Sequence, residues 1–150
     1  VGREQVANAR FVSNPGCYPS GFIALVAPLV RAGLIPADWP FTVNAVSGYS
    51  GGGKALIERF EAERDLAFRA YALDLAHKHQ PEMKLHAGLA HDVIFSPAVV
   101  PAYRGMVVEV PLHLGAMDRA VTADQLRAAL AAFYAGSQVV RVLDGGPLPE

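Results

Sequence analysis

The stretch FIALVAPLVRAG, Phe22 to Gly33, constrains the fold more than any other part of the chain. Arg31 is its only charged residue, and Gly33 is placed to stop a helix. A helix this apolar has to be covered by other elements. It also falls well short of the roughly 18 unbroken apolar residues that a membrane-crossing helix needs. The rest of the 150 residues, 52% hydrophobic overall, can supply that cover as one domain with a filled core.

Around this helix the chain predicts a mixture of short elements. FVSN, Phe11 to Asn14, reads as the end of a short strand, broken by PGCYPSG. PFTVNAV, Pro40 to Val46, alternates as a strand does. Ala55 to about Tyr71 places Leu56, Ile57, Phe60, Leu66 and Phe68 among charges, the pattern of an amphipathic helix with a polar middle. Pro81 suits the first turn of a further helix, with Glu82 set well for its dipole. DVIFSPAVVP and GMVVEVPLHLGA read as strands, Pro111 marking an edge or bulge in the second. The clearest helix is TADQLRAALAAFYAG, with Thr122 as N-cap and Gly136 as stop, and QVVRVL reads as a last strand. Strands and helices mix without strict alternation, so the expected class is α+β.

Composition narrows the function. Thirteen Lys and Arg balance fourteen Asp and Glu, so nothing in the charge recommends a nucleic acid or another polyanion. The single cysteine, with no CxxC pair or zinc spacing, fits a reducing, cytoplasmic setting. The start, VGREQVANARFV, lacks a methionine and a signal-like core, and LDGGPLPE ends on Gly and Pro, so an excised domain is expected.

That one cysteine, Cys17, lies in NPGCYPSG, at the start of the apolar helix. There the unsatisfied N–H groups and the helix dipole favour a thiolate, Pro19 fits the first turn, and Gly16 permits a tight entry. The bland alternative is a small buried hydrophobe, but a structural cysteine has little need of Pro and Gly on both sides. HKHQPE supplies His77, His79 and Glu82, and an imidazole can exchange protons with a thiolate near neutral pH. A His-x-His pair can also bind zinc, although His86, His91 and His113 complete no recognised ligand spacing. SGYSGGGK, Ser47 to Lys54, follows a strand and precedes a helix; its glycine N–H groups and Lys54 could cradle an anion. It matches neither a Walker A loop nor GxGxxG. Arg104, in YRGM, could fork onto a substrate carboxylate.

In order, SNPGCYPSG, VSGYSGGGK, HKHQPEM and PAYRGM resemble the N-acetyl-gamma-glutamyl-phosphate reductases, from Phe11 to about Leu114; the SGYSGGGK form is similar to their shorter-chain subgroup. The resemblance implies an α+β domain with a mixed sheet, helices on one face and a second subunit on the other, as in the catalytic domains of aspartate-semialdehyde and glyceraldehyde-phosphate dehydrogenases. It implies that Cys17 attacks an acyl phosphate, forming a thioester that NADPH reduces in arginine biosynthesis, with His79 as acid/base. Ser47, Gly48, His77, Glu82 and Arg104 become substrate contacts by the same resemblance, which fixes the histidine segment better than the choice between His77 and His79. The family's nucleotide-binding half is not found in these 150 residues. The expectation is therefore a catalytic and dimerisation domain, homo-oligomeric, that neither binds NADP(H) tightly nor turns over alone. A sister acyl-phosphate reductase of lysine biosynthesis, a non-catalytic dimerisation module and a cysteine hydrolase are the competing readings.

Overall fold

The computed structural model describes residues 3–63 and 65–146. Its elements are α1 (Arg3–Asn8), α2 (Cys17–Arg31), β1 (Thr42–Gly48), α3 (Gly53–Ala62), β2 (Arg69–Ala70), α4 (Gln80–Ala87), β3 (Ile94–Val100), β4 (Met106–Glu109) and α5 (Ala123–Phe133). The strands form one mixed sheet in the order β2-β3-β1-β4. β1 runs parallel to β3, Val43 beside Phe95 and Ser47 beside Val99, and antiparallel to β4; β2 pairs antiparallel with the outer edge of β3.

The apolar helix is the centre of the core. Tyr18, Phe22, Val26 and Leu29 recur on one stripe of α2 and are buried with Phe41, just before β1, with Val43, Ala45 and Phe95 of the sheet, and with Met83 and Ala87 of α4. Burial of each large side chain here stabilises by about 1.5–3 kcal/mol. Gly33, at φ 65°, lets the chain turn back: Leu34 N–H donates to the Leu29 carbonyl at 3.0 Å and Gly33 N–H to that of Val30 at 2.9 Å, closing the helix. α5 packs on the same side, tied to α2 by the Tyr134 hydroxyl donating to the Ala24 carbonyl at 2.7 Å. Its start is the expected cap: Thr122 Oγ1 accepts from Gln125 N–H at 3.2 Å, and Gln125 Oε1 accepts from Thr122 N–H at 2.8 Å. The opposite face of the sheet, with Asn44, Ile94, Ser96, Val107 and Glu109, is exposed. The α+β class and the mixed sheet with helices on one face are as the sequence leads one to expect.

Three local expectations are corrected. Residues 11–14 and 138–143 form no strand: Phe11 and Val139 stand exposed, and neither segment pairs its backbone with the sheet. The helix expected to reach Tyr71 ends at Ala62, after its last buried apolar residue, Phe60. The chain then extends so that Arg69 and Ala70 can pair with Val99 and Ala98; sheet pairing outweighs helix periodicity there. α1 was not foreseen. Among the described residues no helix is long and apolar enough to cross a membrane.

Candidate active site

Four segments converge on a cavity of about 850 Å³ at one end of the sheet. The N-terminus of α2 brings Cys17 and Tyr18; the end of β1 brings Ser47 and Gly48; the coil before α4 brings His77, Lys78 and His79; β2 and its exit bring Arg69 and Tyr71. Arg59 reaches the wall from α3. The lining therefore contains three cationic side chains, Arg59, Arg69 and Lys78, and no Asp or Glu among the described residues.

Cys17 is the first residue of α2, with Gly16 as its extended N-cap (φ −63°, ψ 147°), and its side chain is exposed to the cavity. No side chain caps the helix. Glu82 instead holds the entry, both carboxylate oxygens accepting from Gly16 N–H at 3.1 and 3.2 Å. His79 lies against the same glycine: a Cβ on Gly16 would come within 2.6 Å of His79 Nε2. The cysteine's neighbour in sequence is thus the imidazole's neighbour in space.

The histidine segment is pinned by one buried amide. Gln80 Oε1 accepts from His77 N–H at 2.8 Å, and its Nε2 donates to the Val93 carbonyl at 2.8 Å. His77 Nδ1 accepts from His79 N–H at 3.1 Å, so in neutral His77 the proton sits on Nε2. His79 Nδ1 is buried with no hydrogen-bond partner among the described residues. A proton there would be an unpaired buried donor, so neutral His79 favours the tautomer with its proton on Nε2, the nitrogen beside Gly16. Burial lowers both imidazoles below the usual 6.5; for His77 the neighbouring His79 and Lys78 add to this, whereas for His79 the Glu82 carboxylate works against it and Lys78 with it.

The glycine-rich turn serves geometry first. Gly48, Tyr49 and Ser50 donate their N–H groups to the carbonyls of Gly105, Ala102 and Tyr103, each at 2.9 Å, so those three are not available to a phosphate or pyrophosphate. Lys54, offered as the cation of an anion cradle, is 90% exposed and pairs with Glu58 at 3.6 Å, outside the cavity wall.

The structure thus brings together Cys17, Ser47, Gly48, His77 and His79 of the residues singled out from sequence. Glu82 and Arg104 lie outside the lining: Glu82 faces Gly16, and the exposed Arg104 touches Gly48 through its backbone.

Compared with known proteins, residues 17–150 match the family model described as the semialdehyde dehydrogenase, dimerisation domain. This chain belongs to that family. Similar curated proteins include N-acetyl-gamma-glutamyl-phosphate reductase 2 of Nostoc sp. (46% identical over 148 residues, 93% of this chain and 46% of that protein). The N-acetyl-gamma-glutamyl-phosphate reductases of Rhizobium etli (50% over 145 residues, 93% and 47%) and Brucella ovis (48% over 153 residues, 99% and 48%) are others. The chain spans about half the length of these relatives.

Within this semialdehyde dehydrogenase dimerisation domain, sequence reasoning passed over Tyr18, Arg59, Arg69, Tyr71, Lys78 and Gln80. Arg69 and Tyr71 were hidden by the overextended helix. Arg69 sits over the Tyr71 ring at 5.6 Å and has no carboxylate partner among the described residues. Gln80 carried a signal, a polar residue at a helix start directly after two histidines.

Proposed function

We propose that this domain is the catalytic half of an N-acetyl-gamma-glutamyl-phosphate reductase, an oxidoreductase of arginine biosynthesis. The observation that carries the reading is the cavity itself: an exposed cysteine at a helix start, an imidazole against the preceding residue, and a wall in which Arg69 and Lys78 have no carboxylate partner among the described residues while Arg59 is paired with Glu63 at 3.1 Å. Such a wall suits an anionic substrate, and an acyl phosphate adds an electrophilic carbon for the sulfur.

In this mechanism Cys17 first gives its thiol proton to solvent, and the thiolate sulfur attacks the acyl carbon. A C–S bond forms, and the carbonyl π pair moves onto oxygen. Collapse of that tetrahedral species breaks the C–O bond to the phosphoryl group, whose oxygen leaves with the bonding pair as inorganic phosphate, and a thioester remains on Cys17. His79 Nε2–H donates a hydrogen bond toward the developing oxyanion, while the helix start and the cations of the wall favour the negative charge. Ser47, Gly48 and His77 form the substrate wall; Glu82 acts through Gly16, and Arg104 is reserved for a part of the substrate extending past Gly48. NADPH would supply the hydride that turns thioester into aldehyde. Gly48, Tyr49 and Ser50, in the turn most like a phosphate cradle, have spent their N–H groups on the 102–105 backbone, and the sequence carries no GxGxxG turn for a dinucleotide. The cofactor is therefore assigned to a nucleotide-binding domain outside these 150 residues, and this domain alone is expected to be inactive.

The exposed sheet face, bearing Ile94 and Val107, is the surface we assign to a second copy, in keeping with the family's description. The full-length protein should oxidise NADPH in the presence of N-acetyl-gamma-glutamyl phosphate, and Cys17→Ser should abolish this without moving the melting temperature. Retained turnover in that variant would refute the reading.

A further inference from the structure

We propose that Tyr71 and Tyr18 are positioning residues that fix the direction of the Ser47 hydroxyl, so that Ser47 presents its proton to a phosphoryl oxygen in the cavity. The inference rests on the acyl-phosphate reading above and extends it to two residues in a defined order.

Three hydroxyls are linked in sequence from the β2 exit to the end of β1. Tyr71 donates to the Tyr18 hydroxyl oxygen at 3.3 Å, and Tyr18 and Ser47 Oγ lie 2.7 Å apart. The second bond could run either way on distance alone, and the first decides it. Tyr18 is 3% exposed, so its hydroxyl proton needs a protein acceptor. Its oxygen is already receiving the Tyr71 proton, and Ser47 Oγ is its other hydrogen-bond partner among the described residues. If Ser47 also donated to Tyr18, the phenol oxygen would accept twice and its own proton would be left without a protein acceptor among the described residues. Tyr18 therefore donates to Ser47.

A serine hydroxyl has one proton. With Tyr18 filling one acceptor position of Ser47 Oγ, that proton is left for the cavity, which Ser47 lines together with Cys17 and Arg69. Burial, and then the bond to Tyr18, raise Tyr71 far above the ordinary phenol value, so the first donor stays protonated throughout the neutral range. Along such a chain each bond polarises the next, and the last hydroxyl becomes a directed donor. An oxygen with a negative charge and no proton of its own is its complement; beside Arg69 and Lys78, neither paired with a carboxylate among the described residues, a phosphoryl oxygen fits better than a hydroxyl or an amine would.

The test uses the full-length protein and inorganic phosphate as probe, reading the phosphate concentration that half-protects Cys17 from iodoacetamide. Ser47→Ala should raise that concentration about tenfold and Ser47→Thr, which keeps a hydroxyl, should restore it to within about twofold. Tyr18→Phe and Tyr71→Phe should each raise it several-fold in otherwise unmodified protein, and neither should add to the loss once Ser47 is alanine. Tyr71 is only partly buried, so its variant carries the prediction even if Tyr18→Phe lowers the melting temperature. Unchanged protection in Tyr71→Phe, or effects that add in the Ser47→Ala background, would overturn the proposal. Protection is read without turnover. A protein that keeps this pattern but does not reduce the acyl phosphate overturns the reductase reading alone; an active enzyme without the pattern overturns the hydroxyl chain alone.

Discussion

His79 occupies the space that a side chain on Gly16 would need. An ideal Cβ there would lie 2.6 Å from His79 Nε2 and 2.7 Å from Cδ2, with Glu82 Oε2 at 3.0 Å. Gly16 has an ordinary φ of −63°, so its requirement is for room and not for backbone freedom. Gly16→Ala should displace the imidazole by about an ångström, lowering kcat roughly 100-fold while costing about 1–3 kcal/mol of stability. Steady-state reduction and a denaturant titration on the full-length protein check both. Wild-type kcat in a folded variant would show that His79 has no part in the reaction.

Glu82 makes a separate prediction, because it joins the cysteine's helix start to the histidine. Glu82→Ala leaves the Gly16 N–H without its partner and should cost about 1–3 kcal/mol, with Glu82→Gln losing less because an acceptor oxygen remains. The carboxylate also raises His79 against the pull of burial. Glu82→Gln should therefore move the titration of the His79 imidazole, followed by the NMR shifts of its ring protons, to lower pH; a titration that stays in place would disconnect the carboxylate from the imidazole.

Protonation should weaken the fold on the acid side. His77 and His79 both sit below 6.5 in the folded chain, chiefly through burial, so between their folded values and 6.5 the unfolded chain binds more protons. Their contribution is complete above pH 6.5 and is lost as pH falls through the folded values. Unfolding midpoints measured across that window should drop toward acid, and the drop should shrink in a His77→Gln, His79→Gln double variant. An unaltered slope would rule these residues out as its source.

Two glycines of the SGYSGGGK turn should behave differently on substitution. A Cβ on Gly48 would meet backbone, the Ala102 oxygen at 2.6 Å and the Arg104 nitrogen at 2.7 Å, whereas one on Gly51 meets nothing within 4 Å. Gly48→Ala should destabilise by about 1–3 kcal/mol and Gly51→Ala by well under 1. Equal melting temperatures would mean that the approach of residues 102–105 is loose.

The parts of the site visible in the sequence are those whose signal is local. Cys17 was found because Gly16, Pro19 and the apolar run mark a helix start; outside the site, Thr122 stood out in the same local way, as an N-cap before Asp124 and Gln125 in the first turn. The same reasoning could not place Arg69 or Tyr71: Leu66 and Phe68 continue a helical spacing, and only the distant edge of β3 draws that segment into an extended form. QVVRVL has the composition of a strand, but a strand exists only where another chain segment offers its backbone. Glu82 was expected as a substrate contact, and its bond to Gly16 was not foreseen, because that bond spans 66 positions and leaves no pattern in the sequence.

The most direct measurement is the intact mass of the full-length protein after incubation with N-acetyl-gamma-glutamyl phosphate in the absence of NADPH, followed by peptide mapping. The account predicts one acyl group per chain, located on Cys17, released by hydroxylamine and absent from Cys17→Ser. An unchanged mass in protein that otherwise reduces the substrate, or an acyl group on any other residue, would contradict it.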